Sequence, residues 1–169
     1  MPDFIKSYVH FVDTFNRRVG LFAMYLIFAM FAILFYSSIS KAFHLPANWT
    51  LESAQFTMAA YYMLGGAFAM QTGDHVRMDL FYSQWSVRRR AAFDTVTAIA
   101  LIVFLGFMLY GGIASTTYAI QFKEKSFTAW APYMAPIKMI MTFGVVMMLA
   151  QATSSLFKDI AELRGRPIA

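Results

Sequence analysis

Four long stretches of this chain contain no aspartate, glutamate, lysine or arginine, and they constrain the fold more than any other feature. They cover residues 19–40, 53–73, 95–122 and 139–157. A helix needs about 20 apolar residues to cross the hydrocarbon core of a bilayer, and each stretch is close to that length or longer. None alternates apolar and polar residues as a barrel strand does, so each is predicted to be a helix that satisfies its backbone hydrogen bonds internally.

The composition also favours an all-α membrane protein. Hydrophobic residues make up 59% of the chain and charged residues only 14%, whereas a soluble domain has about 45–50% and about 25%. The sequence therefore predicts a single membrane domain over residues 1–169, with four transmembrane helices. The predicted spans are approximately 19–41, 52–73, 92–120 and 136–157.

Lysine and arginine are distributed unevenly between the two sides of the predicted bundle. Of the fourteen, only Lys41, Lys123, Lys125 and Lys138 lie between spans one and two or between spans three and four. Because positively charged segments stay in the cytoplasm, both termini are predicted to be cytoplasmic. The sequence shows no basic stripe or RNA-binding motif, so the net charge of +5 does not predict nucleic-acid binding.

Two segments outside the spans are predicted to lie at the membrane surface. In residues 1–18, Phe4 and Val12 belong to an apolar face with helical spacing, and His10 and Asp13 fall on the polar side. This pattern indicates an amphipathic helix in the headgroup region, and a soluble helix packed on a partner is the alternative. An interfacial segment is also predicted at 78–90, between spans two and three. Its predicted anchors to anionic lipid are Trp85, Arg88, Arg89 and Arg90.

No catalytic, metal or cofactor site is predicted. The chain has no cysteine, which excludes disulfides and thiolate chemistry. Its histidines, His10, His44 and His75, lie outside the spans, where they cannot ligate a haem held between the helices. No ionisable residue lies at the middle of a span, where a site for a coupling ion or proton would need one. The sequence thus predicts neither an enzyme nor a transport pathway within this chain.

Small residues recur on one face of the second span. Gly65, Ala69 and Gly73 are spaced four residues apart, and Gly66 lies beside the first of them. Small residues at this spacing let another helix approach closely. They are predicted either to pack within the four-helix bundle or to contact another subunit.

The second span and the loop after it carry an ordered set of motifs. Trp49 and Glu52 open the span, a Gly-Ala pair follows at 66–67, and residues 75–79 read HVRMD. This set resembles the DctQ family, the small membrane subunits of tripartite ATP-independent periplasmic (TRAP) transporters. One departure is Met78, where the family more usually has valine or isoleucine.

The resemblance implies a heteromeric complex in a bacterial inner membrane. The implied partners are a large multi-span TRAP membrane subunit and a periplasmic substrate-binding protein. The implied activity is sodium-coupled symport of an organic acid. The large subunit would move as an elevator, and the small subunit would be a fixed, non-catalytic scaffold beside it.

The resemblance also gives expectations for the motif residues. Trp49 and Glu52 are expected to contact the large subunit or the binding protein; the alternative is that they only suit the aromatic belt and the helix dipole. His75, Arg77 and Asp79 are expected to anchor the cytoplasmic loop and the large subunit. The alternative for these three is a solvated charged loop, because exposed ion pairs contribute little.

Two other functions stay open at this stage. One is a membrane-anchor subunit of a respiratory enzyme, and the lack of haem ligands within the spans counts against it. The other is a self-contained small carrier or channel, and the missing intramembrane charge counts against it.

Overall fold

The computed structural model describes residues 3–72 and 87–163, and four α-helices account for most of this part of the chain. The helices are α1 (Asp3–Ala42), α2 (Asn48–Thr72), α3 (Val87–Gln121) and α4 (Ala135–Leu163). Within these two ranges no strand forms, and an isolated antiparallel bridge joins Lys125 to Tyr133. The predicted all-helical class is therefore confirmed for the described residues.

The helix α4 lies at the centre of the bundle. Consecutive helices pair as two hairpins, α1 with α2 and α3 with α4, and α4 also packs against α2 and α1. One buried apolar cluster joins α1, α2 and α4, and a second joins α3 and α4. Their buried members are Ala23, Leu64, Ala67 and Met147 in the first and Leu105, Val145 and Ala152 in the second. Since α3 packs chiefly on α4, most of its apolar surface faces outward.

Three of the four helices contain stretches long and apolar enough to cross a membrane. These stretches are Phe4–Ala42, Phe93–Gln121 and Ala135–Ala161. Among the described residues α2 falls short of this standard, since Gln55, Tyr61 and Tyr62 lower its mean hydropathy even between Glu52 and Gln71. Because α2 packs against both α1 and α4, part of its surface meets protein rather than lipid. The four helices are present, but the count of four membrane crossings is not confirmed.

The segment predicted as a separate amphipathic helix is continuous with the first span. α1 has 40 residues, which gives a length of about 60 Å at about 1.5 Å per residue. No proline interrupts it after the N-terminus, so nothing breaks the hydrogen-bond ladder. The apolar face is divided: Val9 and Val12 are buried against the bundle, whereas Phe4 and Phe11 are 81% and 68% exposed.

The connection between α3 and α4 folds back on itself as a short hairpin-like loop. The amide of Ser126 donates to the carbonyl of Pro132, and the amide of Met134 donates to the carbonyl of Glu124. The Glu124 carboxylate also forms an ion pair with Lys138 in the first turn of α4. These contacts hold the loop over the same end of the bundle at which α1 ends and α2 begins.

Candidate functional site

Trp49 and Glu52 lie in the first two turns of α2 but have different surroundings. The Trp49 indole packs against Tyr36 of α1, with 5.5 Å between ring centroids, and stays partly exposed. Glu52 is only 6% exposed. Its Oε2 atom is buried and finds no hydrogen-bond partner among the described residues. The burial of Glu52 is unexpected for a carboxylate that only favours the positive end of a helix dipole.

Glu52 lines a pocket of about 470 Å³, which we call the outer pocket. The end of α1, the start of α2 and the α3–α4 loop form its walls. Its polar lining side chains are Lys41, Asn48, Thr50, Glu52, Gln55 and Thr128. Thr50 is already engaged, because its hydroxyl lies 2.9 Å from Ser37 Oγ and 2.8 Å from the carbonyl of Ala47. The pocket therefore combines a buried carboxylate with a lysine nearer its rim.

The adjacent glycines of α2 face different neighbours. A Cβ on Gly66 would lie 3.1 Å from the sulfur of Met148, so this glycine packs within the bundle. A Cβ on Gly65 would meet nothing within 4 Å. Gly65 and Ala69 line an open groove of about 440 Å³ between α1 and α2, the α1–α2 groove. Gly111 likewise faces open space and lines a second groove of about 430 Å³, the α3–α4 groove.

Two glycines outside the predicted set allow the closest helix contacts. A Cβ on Gly144 of α4 would lie 2.8 Å from the carbonyl oxygen of Met63, which is backbone and cannot rotate away. A Cβ on Gly20 of α1 would lie 2.4 Å from Cβ of Phe68 on α2. Small residues let membrane helices approach to this separation. Gly144 and Gly20 thus hold α2 against α4 and α1, and sequence spacing alone did not single them out.

A buried polar network, the inner polar cluster, lies at the opposite end of the bundle from the outer pocket. The Asp13 carboxylate accepts hydrogen bonds from Gln151 Nε2 at 3.1 Å and Ser154 Oγ at 3.3 Å, and Lys158 Nζ lies 2.6 Å from its second oxygen. Asn16 Nδ2 donates to Gln151 Oε1 at 2.7 Å. Asn16, Gln151 and Ser154 are at most 1% exposed, so these hydrogen bonds replace water for groups that would otherwise be costly to bury.

The inner polar cluster joins three helices. Gln71 Nε2 at the end of α2 donates to the backbone carbonyl of Asp13 at 3.2 Å. Nearby, the Tyr8 hydroxyl lies 2.8 Å from Thr153 Oγ1, and its ring meets Phe157 edge-on. The N-terminal quarter of α1 is therefore fixed to α4 by hydrogen bonds as well as by apolar packing.

Sequence reasoning missed this cluster because it assigned Asp13 to the polar side of a surface helix. Asp13 and Asn16 instead share the bundle-facing side with the buried Val9 and Val12. A signal was present on α4, where Gln151, Ser154 and Lys158 are spaced by three and four residues and so share one helix face. A polar stripe on a helix otherwise facing apolar surroundings indicates a polar partner.

Several residues of the predicted set cannot be placed. Gly73, His75, Arg77, Asp79 and Trp85 lie outside the described residues. The backbone of Arg88, Arg89 and Arg90 belongs to the first turn of α3, and their side chains are likewise outside the description. Within residues 3–72 and 87–163, no three histidine, cysteine, aspartate or glutamate side chains come together as metal ligands would.

The comparison with protein families gives one match that spans most of the chain. The family described as "Tripartite ATP-independent periplasmic transporters, DctQ component" matches residues 30–162. This range contains α2, the α3–α4 loop and the motif residues from Trp49 to Asp79. A comparison with individually curated proteins gives no significant match.

Proposed function

Because this chain belongs to the DctQ family of tripartite ATP-independent periplasmic (TRAP) transporter components, we propose that it is a non-catalytic scaffold for a large elevator-type membrane subunit. In the proposed complex, a periplasmic binding protein delivers an organic acid and a sodium gradient drives its symport. The observation that carries the scaffold role is the distribution of charge. The ion pairs Asp13–Lys158 and Glu124–Lys138 lie at opposite ends of the bundle, and the apolar stretches between them hold no acidic or basic residue.

The bundle also suits a support that stays fixed in the bilayer. In the most apolar 18-residue stretch of α1 only 11% of the residues are buried within the chain, and in that of α3 only 6%. Apolar surface of this extent is matched by lipid or by another membrane subunit. A wide lipid-facing surface resists tilting when a neighbouring domain moves. A single transmembrane helix would resist it less.

The α1–α2 groove is the proposed contact for the large subunit. Gly65 and Ala69 present backbone and a single methyl group at four-residue spacing, and nothing in the bundle occupies the space beyond Gly65. A helix of the partner can therefore approach α2 closely enough to gain dispersion contacts, which drive helix association in lipid. The exposed ring of Tyr62 at the rim adds aromatic contact area.

We place the chain in the inner membrane with four crossings and both termini in the cytoplasm. In this placement the inner polar cluster lies on the cytoplasmic side, and the Trp49–Tyr36 pair lies in the outer aromatic belt. His75, Arg77 and Asp79 anchor the cytoplasmic loop and the large subunit. The proposed lipid anchors precede or begin α3 in the sequence and bind anionic headgroups; they are Trp85, Arg88, Arg89 and Arg90.

The scaffold role predicts that the large subunit does not transport without this chain. Proteoliposomes containing the large subunit receive solute-loaded binding protein and a sodium gradient, with and without this chain. Uptake is expected with it and background uptake without it, because the moving domain then lacks a support. Liposomes holding this chain alone serve as the control and are also expected at background. Full uptake by the large subunit alone would end the proposal.

A further inference from the structure

The unpartnered carboxylate oxygen of Glu52 indicates a missing ligand. Burying a charged oxygen without a hydrogen bond is costly, and native proteins almost always supply a partner. Glu52 Oε2 is buried and has no donor among the described residues, and the Glu52 side chain belongs to the lining of the outer pocket. A group with N–H or O–H donors that enters this pocket would pair with the carboxylate and offset the cost of burying it.

The outer pocket offers two charges of opposite sign. Glu52 supplies a buried negative oxygen and Lys41 supplies a positive group where α1 ends. Leu45 and Leu51 line the same pocket and are 60% and 58% exposed, so apolar surface adjoins the two charges. An occupant that matches all three features has an ammonium group, an anionic group beside it and a hydrocarbon tail.

We propose that the outer pocket binds the headgroup of phosphatidylethanolamine. The lipid ammonium donates hydrogen bonds to the Glu52 carboxylate, and the lipid phosphate faces Lys41. The acyl chains run along the exposed surface beside Leu45 and Leu51. Hydrogen bonds in which both partners are charged are shorter and stronger than neutral ones, which suits a site at the edge of the bilayer. This inference does not depend on the transport role of the chain.

Competing occupants fit the pocket less well. A bare cation would be repelled by Lys41, and it brings no anion to offset that charge. A phosphatidylcholine headgroup has no N–H donor and cannot satisfy the Glu52 oxygen. An anionic phosphatidylglycerol headgroup would match Lys41 but would place further negative charge near the carboxylate. A lysine from another protein could reach Glu52, and it is treated as an outcome of the test.

The test measures which lipids the full-length chain retains. The purified, delipidated chain is supplied with equal amounts of phosphatidylethanolamine, phosphatidylcholine and phosphatidylglycerol, and the bound lipids are counted by native mass spectrometry. The wild type is expected to retain phosphatidylethanolamine in preference to the other two. Glu52→Gln is expected to reduce that retention about tenfold, the loss of one charge-assisted hydrogen bond. Asp94→Asn, which also replaces a carboxylate by an amide but lies near the start of α3 and outside the pocket lining, is the matched control and should retain the lipid.

Two further outcomes keep the proposal open to refutation. Lys41→Gln, at an exposed position, tests the site even if Glu52→Gln lowers the yield of folded protein, and it is expected to weaken phosphatidylethanolamine retention several-fold. Equal retention of the three lipids by the wild type would overturn the proposal. Unchanged lipid retention in Glu52→Gln would also overturn it. If the same variant also loses a partner protein from the complex, Glu52 is assigned to a lysine of that partner.

Discussion

Replacing Asp13 by alanine is expected to lower the free energy of unfolding of the chain in detergent by about 2–4 kcal/mol. The carboxylate accepts hydrogen bonds from Gln151 and Ser154 and pairs with Lys158. Without it, two fully buried donors lose their acceptor and Lys158 loses its counter-charge. The measurement is equilibrium unfolding in detergent, followed by circular dichroism.

The control for this prediction is His10→Ala on the same helix. His10 is exposed, so its removal is expected to change stability by less than about 0.5 kcal/mol. Asp13→Asn should be intermediate, because it keeps an acceptor for Gln151 and Ser154 but not the negative charge that pairs with Lys158. Equal stability of Asp13→Ala and His10→Ala would show that the inner polar cluster does not hold α1 to α4.

Replacing Gly65 by leucine is expected to prevent co-purification of the large subunit while leaving the bundle folded. A Cβ at Gly65 would meet nothing within 4 Å, and the α1–α2 groove beside it is open, so the fold is expected to accept the larger side chain. In the complex the same side chain would separate two helices, and overpacking of this kind costs about 1–3 kcal/mol, or a loss of affinity of about tenfold or more. The measurement is recovery of the large subunit on an affinity-tagged form of this chain, in mild detergent.

Gly111→Leu is the matched control for this experiment. Gly111 is also a helix glycine facing open space, but it lines the α3–α4 groove. It is expected to recover the large subunit like the wild type. Loss of the partner with Gly111→Leu and not with Gly65→Leu would move the contact to the α3–α4 groove and contradict the proposed interface.

The helical class could be predicted because lipid leaves few solutions for long apolar stretches. A stretch such as 95–122 has no means other than a helix to pair its backbone groups in hydrocarbon. The ordered motif around Trp49 and Glu52 then indicated the family. The helix predicted separately at 1–18 is instead the beginning of α1. The sequence contains no helix breaker between that segment and the first span, so the two form one helix.

The interior of the bundle could not be read from the sequence, because it depends on which helix faces which. Gly65 and Gly66 are neighbouring residues of the same type, yet only Gly66 packs against another helix of the bundle. Gly144 allows the close contact between α2 and α4 because the Met63 backbone lies against it, which the sequence does not show. Glu52 was expected either to contact another subunit or only to suit the helix dipole. Its burial, and the α3–α4 loop that lines the same pocket, could not be read from the sequence.

The scaffold claim is tested most directly by distances measured during transport. The chain has no cysteine, so Phe11→Cys and Tyr110→Cys, both exposed positions on α1 and α3, can carry a pair of spin labels. A second pair joins Tyr110→Cys to the solute-carrying domain of the large subunit. On adding sodium and loaded binding protein, the first distance is expected to stay constant and the second to change. A shift in the distance within this chain, with the second distance constant, would contradict a fixed scaffold.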